Sequence, residues 1–201
     1  MRRTVLPYLS LLFITLPLFG QRPPIEIGIQ HVIALGSETS FAGGRLEIPA
    51  SRGFAATGEI FWSERWSTQF AATFINPEAI LYLPNDVDLG TLGIDIYSAQ
   101  ARVHFRPAAR FDPYAGAGVA AVVLGNLEER FGDDIETDFD SELTFNATAG
   151  VRWKRNRLAL DAGATYTALE PELRVIRTDV ALPARLDLYP IVIHFGATWR
   201  F

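Results

Sequence analysis

Cysteine is absent from all 201 residues. Its absence excludes a disulfide framework, a thiolate nucleophile and a Cys-ligated zinc site. A basic charge balance is lacking too: the formal net charge is -5. Nothing in it suggests an electrostatic footprint for nucleic acid. After the first twenty residues no apolar run is long enough for a transmembrane helix, so any membrane span must be built from strands. What the chain does have is 49% hydrophobic residues, the upper edge for a globular protein, in a length that suggests one domain.

Residues 1–20 read as a signal peptide. Arg2 and Arg3 supply the basic start, Val5 to Phe19 is apolar, and Gly20 offers a small residue before Gln21. Fifteen apolar residues interrupted by Pro7 and Pro17 are short for a membrane anchor, which needs about 20. Residues 21–201 are then the mature domain.

From Pro24 onward the dominant signal is alternation with period two, broken at regular intervals. It predicts eight strands over 25–35, 53–62, 66–75, 95–106, 112–124, 142–154, 157–168 and 187–201. Long connections follow the first, third, fifth and seventh: 36–52, 76–94, 125–141 and 169–186. Short ones follow the second, fourth and sixth: 63–65, 107–111 and 155–156. That layout is an all-β, eight-stranded antiparallel transmembrane up-and-down barrel, with short periplasmic turns and long extracellular loops.

Which face carries the charge decides between a membrane barrel and a soluble one. One parity collects bulky apolar residues: Ile25, Ile27, Ile29 and Ile33 in the first strand, Trp66, Phe70 and Phe74 in the third, Tyr97 to Phe105 in the fourth. Leu143 to Trp153, Leu158 to Tyr166 and Tyr189 to Phe201 continue it. These residues and their counterparts in 54–62 and 113–123 number about 45, with no Asp, Glu, Lys or Arg. At the chain's 20% charged content, chance would place about nine there. The opposite parity holds Glu26, Glu59, Gln69, Gln100, Arg102, His104, Asn146, Arg152, Asp161, His194 and Arg200. Eight strands enclose only enough space for side chains or one small ligand, so small and polar residues fit the inside and the uncharged face suits lipid. A soluble lipocalin-like barrel would show the reverse.

All four tryptophans, Trp62, Trp66, Trp153 and Trp199, lie beside short turns or the C-terminus. Indole rings favour the headgroup layer, so they form one girdle, and Phe74, Tyr97, Tyr166 and Tyr189 form the other. Both chain ends lie on the short-turn side, which should face the periplasm.

The stretch from His194 to Phe201 ends in an aromatic, with Trp199 two before it and Gly196 three earlier still. It is similar to the terminal-strand signal read by the outer-membrane assembly machinery; Gly196, Trp199 and Phe201 carry that likeness. Two further stretches narrow the family. Phe111-Asp112-Pro113-Tyr114-Ala115-Gly116-Ala117-Gly118-Val119 follows a strand ending Val103-His104-Phe105, and Arg185-Leu186-Asp187-Leu188-Tyr189-Pro190 leads into the closing strand. Together, over about residues 24–201, the chain resembles the outer-membrane protein W (OmpW) family. One departure is Leu188-Tyr189 between Asp187 and Pro190, where many members place Pro directly after Asp. The resemblance implies a small, largely apolar channel linked to uptake of small hydrophobic molecules.

Position along the strands divides the lumen. Glu26, Glu59, Arg102, His104, Arg152, Asp161 and Arg200 fall near the periplasmic ends, where Arg102, Arg152 and Arg200 as a group should neutralise Glu59, Asp161 and Glu26 in a charged plug. Above it Val32, Ala34, Ala55, Thr57, Gly116, Gly118, Ala120, Val122, Thr144 and Asn146 form an expected apolar cup. The plug either gates the lumen or merely stiffens the barrel; Gly116 and Gly118 leave room for a ligand or for a neighbouring side chain.

The third long connection carries Glu128, Glu129, Asp133, Asp134, Glu136, Asp138 and Asp140 without the Gly-centred EF-hand spacing, and reads as a solvated loop. No metal or cofactor is expected. No Ser and acid accompany His31, His104 or His194 at a suggestive spacing, so no enzyme is expected either. The expected partners are outer-membrane lipid and lipopolysaccharide, the assembly machinery, and a small hydrophobic ligand. Two functions stand. One is a passive channel or carrier for small hydrophobic solutes that leave sideways into the membrane. The other is a closed structural barrel whose loops contact partners.

Overall fold

Alternating side chains on a pleated strand give a sheet two unlike faces, and closing that sheet removes its edges. This is the architecture of the computed structural model, which describes residues 24–201 except 42–43, 83–85, 92, 126–134, 140, 169–171, 178–179 and 186–190. The expected signal peptide, Tyr189, the Leu186 to Pro190 part of the family-like segment, and Glu128, Glu129, Asp133, Asp134 and Asp140 lie outside the described residues.

Among the described residues there are fifteen strands and no helix. They are β1 (Ile25–Ala34), β2 (Ser37–Phe41), β3 (Gly44–Ile48), β4 (Ser51–Phe61), β5 (Trp66–Ile75), β6 (Glu78–Tyr82), β7 (Asp86–Thr91), β8 (Ile94–His104), β9 (Phe111–Leu124), β10 (Ile135–Phe139), β11 (Glu142–Arg155), β12 (Leu158–Thr167), β13 (Glu172–Arg177), β14 (Val180–Arg185) and β15 (Ile191–Arg200). Eight of them close into an antiparallel barrel in the order β1-β15-β12-β11-β9-β8-β5-β4. Each wall strand pairs with its neighbours along the chain, and β15 closes on β1 with Glu26 opposite Arg200. The wall strands run 10 to 14 residues, long enough for a tilted crossing of the hydrocarbon layer.

The eight wall strands match the expected ones to within a few residues, but the long connections differ from expectation. They carry seven further strands: β2, β3, β6 and β7 form one four-stranded sheet, and β10, β13 and β14 a three-stranded one. The sequence hid them because Glu38, Arg45 and Glu47 interrupt the apolar pattern. A strand outside the bilayer has no need of an uncharged face; there Arg45 instead pairs with Glu38 at 3.4 Å and lies over the Tyr82 ring.

The outward parity is apolar and open, with Ile29, Leu143 and Phe145 70%, 76% and 77% exposed. Patches of that size on a monomer mark contact with lipid or protein. The outward face is not wholly free of charge. Asp95 shares it at the loop end of β8, opposite Phe74 and Val123, and Arg52 and Arg155 share it at the ends of β4 and β11. All three stand at strand termini, where headgroups and water replace acyl chains. Trp62, Trp66 and Trp199 are exposed at the turn end, and the Trp62 indole donates to Thr68 Oγ1 at 2.8 Å. Near the loop end Phe54, Phe74 and Tyr97 make successive ring contacts at 5.1 and 6.3 Å.

A charge placed at the waist of this belt has no such refuge. Ala117→Arg, whose site lies between Ala101 and Ala147, is expected to destabilise the barrel by about 2–4 kcal/mol. Leu158→Arg at the turn end should cost about 0–1 kcal/mol. Urea unfolding in lipid vesicles, followed by tryptophan fluorescence, checks the ratio.

Candidate functional site: the charged lumen

Register alone sets a problem inside the barrel. Glu26 on β1 and Glu59 on β4 are direct cross-strand partners, and like charges directly opposed are destabilising. The remedy comes from the far wall. Arg152 on β11 reaches across the lumen, with Nη2 2.5 Å from Glu59 Oε2 and Nη1 3.1 Å from Glu26 Oε2. Its Nε lies 3.3 Å from Asp161 Oδ2 on β12, its own cross-strand partner. One guanidinium, 1% exposed, ties three carboxylates on three strands.

Other side chains close the network around it. Arg200 on β15 pairs with Glu26 through Nη2 at 2.6 Å and Nε at 2.8 Å, and Thr198 donates to the same carboxylate. Arg102 on β8 lies 3.8 Å from Glu59 and 4.5 Å above the Tyr114 ring. His104 places Nδ1 3.0 Å from Asp112 Oδ2 and Nε2 3.2 Å from Glu59 Oε1. Asp112 also accepts from Lys154 Nζ at 3.0 Å and from the Arg106 amide at 3.1 Å. Glu26, Glu59, Asp112 and Asp161 are thus balanced by Arg102, Arg152, Lys154 and Arg200, four against four.

Tyr114 locks the network to the wall. Its hydroxyl donates to Asp161 Oδ1 at 2.7 Å and lies 3.1 Å from His194 Nε2. The ring can lie flat across β11 and β12 because Gly150 and Gly163 stand beneath it; a Cβ at either would strike the Tyr114 hydroxyl. Gly150 is the cross-strand partner of both Tyr114 and Gly163.

The structure thus brings together all seven residues expected in the plug, with Arg152 rather than an even set of pairs at the centre. Sequence reasoning missed Ser67, Asp112, Tyr114 and Lys154. Each stands on the inward parity of its strand, and that was the available signal. Arg102 is the loosest member: its Nε and Nη1 find no hydrogen-bond partner among the described residues.

Of the expected cup residues, Val32, Ala34, Ala55, Ala120 and Val122 are buried in one apolar cluster with Ile75, Ile96, Leu124 and Val192, and Ile48 from β3 joins it. Thr57, Thr144 and Asn146 are inward and buried, and Thr144 Oγ1 donates to the Ala168 carbonyl. Gly116 yields its space to the Arg102 stem, and Gly118 sits against the Ala99 carbonyl.

A serine and an acid do accompany His104: Ser67 Oγ lies 3.1 Å from Nε2, and Asp112 holds Nδ1. The spacing along the chain concealed this because the three residues come from three adjacent strands, β5, β8 and β9. The arrangement still lacks what hydrolysis requires. Ser67 is 2% exposed, and its hydroxyl already donates to Glu59 Oε1 at 2.5 Å, so the histidine has no free claim on that proton. Among the described residues no group of three or more His, Asp or Glu is placed to hold a metal ion.

A closed up-and-down wall, an uncharged belt between aromatic girdles and a charge-filled interior define a transmembrane β-barrel of the bacterial outer-membrane class. Solved structures with this fold include OprG from Pseudomonas aeruginosa, at a TM-score of 0.79 and 11% identity over 90% of this chain and 96% of that one. AlkL, solved in lipid bilayers, matches at 0.67 and 13% over 90% of each chain. The outer membrane protein W of E. coli matches at 0.52 and 12% over 91% of this chain and all of its own. These three are eight-stranded outer-membrane barrels of one type, the type that the Pro113 to Gly118 motif resembles. No family model matches the chain, and no curated relative matches it.

Because Arg152 holds three carboxylates, its loss leaves them facing one another. Arg152→Ala is expected to destabilise the barrel by about 3–5 kcal/mol. Arg102→Ala should cost less, since that side chain makes one ion contact at 3.8 Å. Comparing the two denaturation midpoints under one lipid condition checks the order.

Proposed function

We propose that the barrel is an outer-membrane channel or carrier for passive passage of small hydrophobic molecules, which enter from the loop end and leave sideways into the membrane. The observation that carries this reading is the change of lumen chemistry along one axis. Apolar side chains line the loop half and a neutralised ionic network fills the turn half. A hydrophobic solute gains by entering the first and has no favourable path through the second, where buried ions would lose partners.

The wall itself supports a lateral route. β11 pairs with β9 as far as Glu142 opposite Val122, and on its other side the Ala168 amide donates to the Phe145 carbonyl at 3.1 Å. Leu143 and Phe145, on the outward face of β11 at the loop end, are apolar and exposed, which suits a solute passing into acyl chains.

A closed structural barrel is the second reading, and one observation favours it. Val32, Ala120 and Val122 are at most 1% exposed, so the apolar half is packed by its own side chains, and a solute must part them. Lipopolysaccharide and lipid around the belt, and assembly machinery reading Gly196, Trp199 and Phe201, are the partners proposed under both readings. Gly196 has a packing role as well, since a Cβ there would meet the Ile29 carbonyl.

Uptake separates the two. Cells with an intact outer membrane that express the protein should accumulate the hydrophobic fluorophore N-phenyl-1-naphthylamine several-fold faster than vector controls. Val122→Asn, confirmed folded by its gel mobility shift on heating, should remove that gain. In planar bilayers Arg102→Ala should raise single-channel conductance by thinning the plug. Uptake equal to the vector control would overturn the carrier reading and leave the structural one.

A further inference from the structure

At the turn end the lumen opens into a cavity of about 300 Å³ between the β8–β9 and β11–β12 turns. Its chemistry is one-sided. Arg110, Lys154, Arg157 and Arg200 line it against a single carboxylate, Glu26. Arg200 spends its charge on Glu26, and Lys154 is held by Asp112 and by the Pro107 carbonyl. Arg110 and Arg157 enter no ion pair among the described residues, although both flank the same small space.

The two free guanidinium groups sit on fixed mounts. The Arg110 carbonyl accepts from the Lys154 amide at 2.8 Å, and the Arg157 carbonyl from the Arg200 amide at 2.8 Å. The Ala109 amide closes its turn onto the Arg106 carbonyl at 3.0 Å. Asn156 holds a φ of 56° in the two-residue turn that delivers Arg157, a conformation Asn tolerates better than most side chains. Like charges gathered on ordered backbone repel one another, and a bound anion relieves that repulsion.

We propose that this vestibule is a binding site for a phosphate group, carried either by a small periplasmic solute or by a lipid headgroup. The donors approach from two turns on different sides. A tetrahedral phosphate offers oxygens to both at once, whereas a carboxylate presents two oxygens in one plane; guanidinium groups match oxyanions of this kind in bidentate geometry. The cavity admits the phosphate and a few attached atoms. A bound phosphate also competes with Glu26 for Arg200 and with Asp112 for Lys154, so occupancy acts on the outermost links of the ionic network. The proposal is independent of whether the lumen passes hydrophobic solutes.

The test uses the whole barrel in phosphatidylcholine nanodiscs, titrated calorimetrically with inorganic phosphate and with glycerol 3-phosphate at constant ionic strength. Saturable binding is expected. In the double variant Arg110→Gln, Arg157→Gln it should weaken by about tenfold or more, the loss typical of removing charged hydrogen-bond donors. Arg65→Gln, in the turn outside the cavity, should bind as the parent does. A second arm replaces part of the lipid with phosphatidylglycerol. Weakened binding of free phosphate there identifies the headgroup as the occupant, and unchanged binding identifies a soluble solute. Failure to saturate with either phosphate probe in phosphatidylcholine overturns the proposal. So does equal affinity in the double variant, given that its heat-dependent gel shift shows it folded.

Discussion

The opposition of Glu26 and Glu59 is the constraint on which the interior depends. β1 is where the barrel closes, pairing with β4 on one side and β15 on the other, and its inward carboxylate faces another acid across the first of those seams. Local pairing offers Glu26 one cation, Arg200 across the seam with β15, and that side chain is 39% exposed. A long side chain from the opposite wall is the remaining solution. Arg152 supplies it, and in doing so links β11 and β12 to β1 and β4 through the centre rather than around the wall. Closure of the sheet and filling of the lumen are therefore one interaction.

That arrangement works because an eight-stranded barrel is narrow. The interior of such a barrel is about as wide as two inward side chains laid end to end, so a guanidinium on one wall can reach a carboxylate on the other without intervening water. The same narrowness forces small residues wherever a large one lies flat. Tyr114 covers Gly150 and Gly163, and Gly116 accommodates the stem of Arg102. Burial of so many ions is costly in isolation, and a hydrophobic filling of equal volume would be at least as stable. What ions add is geometry: Arg152 fits one place only, defined by three carboxylates, and so fixes the register of strands that never touch.

Much of this was legible in the sequence because a membrane barrel segregates charge by parity more strictly than a soluble protein does. Parity and position along the strand alone put Glu59, Arg102, Arg152 and Asp161 inside and low in the lumen. Who pairs with whom could not. Parity fixes the wall and the height of a side chain, but the centre of a narrow lumen is reached by several walls at once, and reach depends on rotamers. Asp112 and Tyr114 were hidden for another reason, having drawn notice as part of a family-like motif rather than as inward residues. The Ser67, His104 and Asp112 cluster shows the limit most plainly. Three residues on adjacent strands converge at 3.1 and 3.0 Å although nothing in their chain spacing relates them. The extra-membrane strands β2, β3, β6 and β7 were missed because the pattern that marks a lipid-facing strand has no reason to persist in water.

The two halves of the lumen also differ in how they can yield. In the turn half, moving one member disturbs several others: displacing Arg152 takes a cation from three carboxylates, and displacing Tyr114 takes a hydroxyl from both Asp161 and His194. Such a network resists opening in small steps, because each partial rearrangement leaves a buried charge without a partner. In the loop half, Val32, Ala55, Ala120 and Val122 hold one another by dispersion and burial alone, interactions that an incoming apolar solute replaces in kind. Parting them costs little that the solute does not return. The ionic half therefore resists opening more strongly than the apolar half above it.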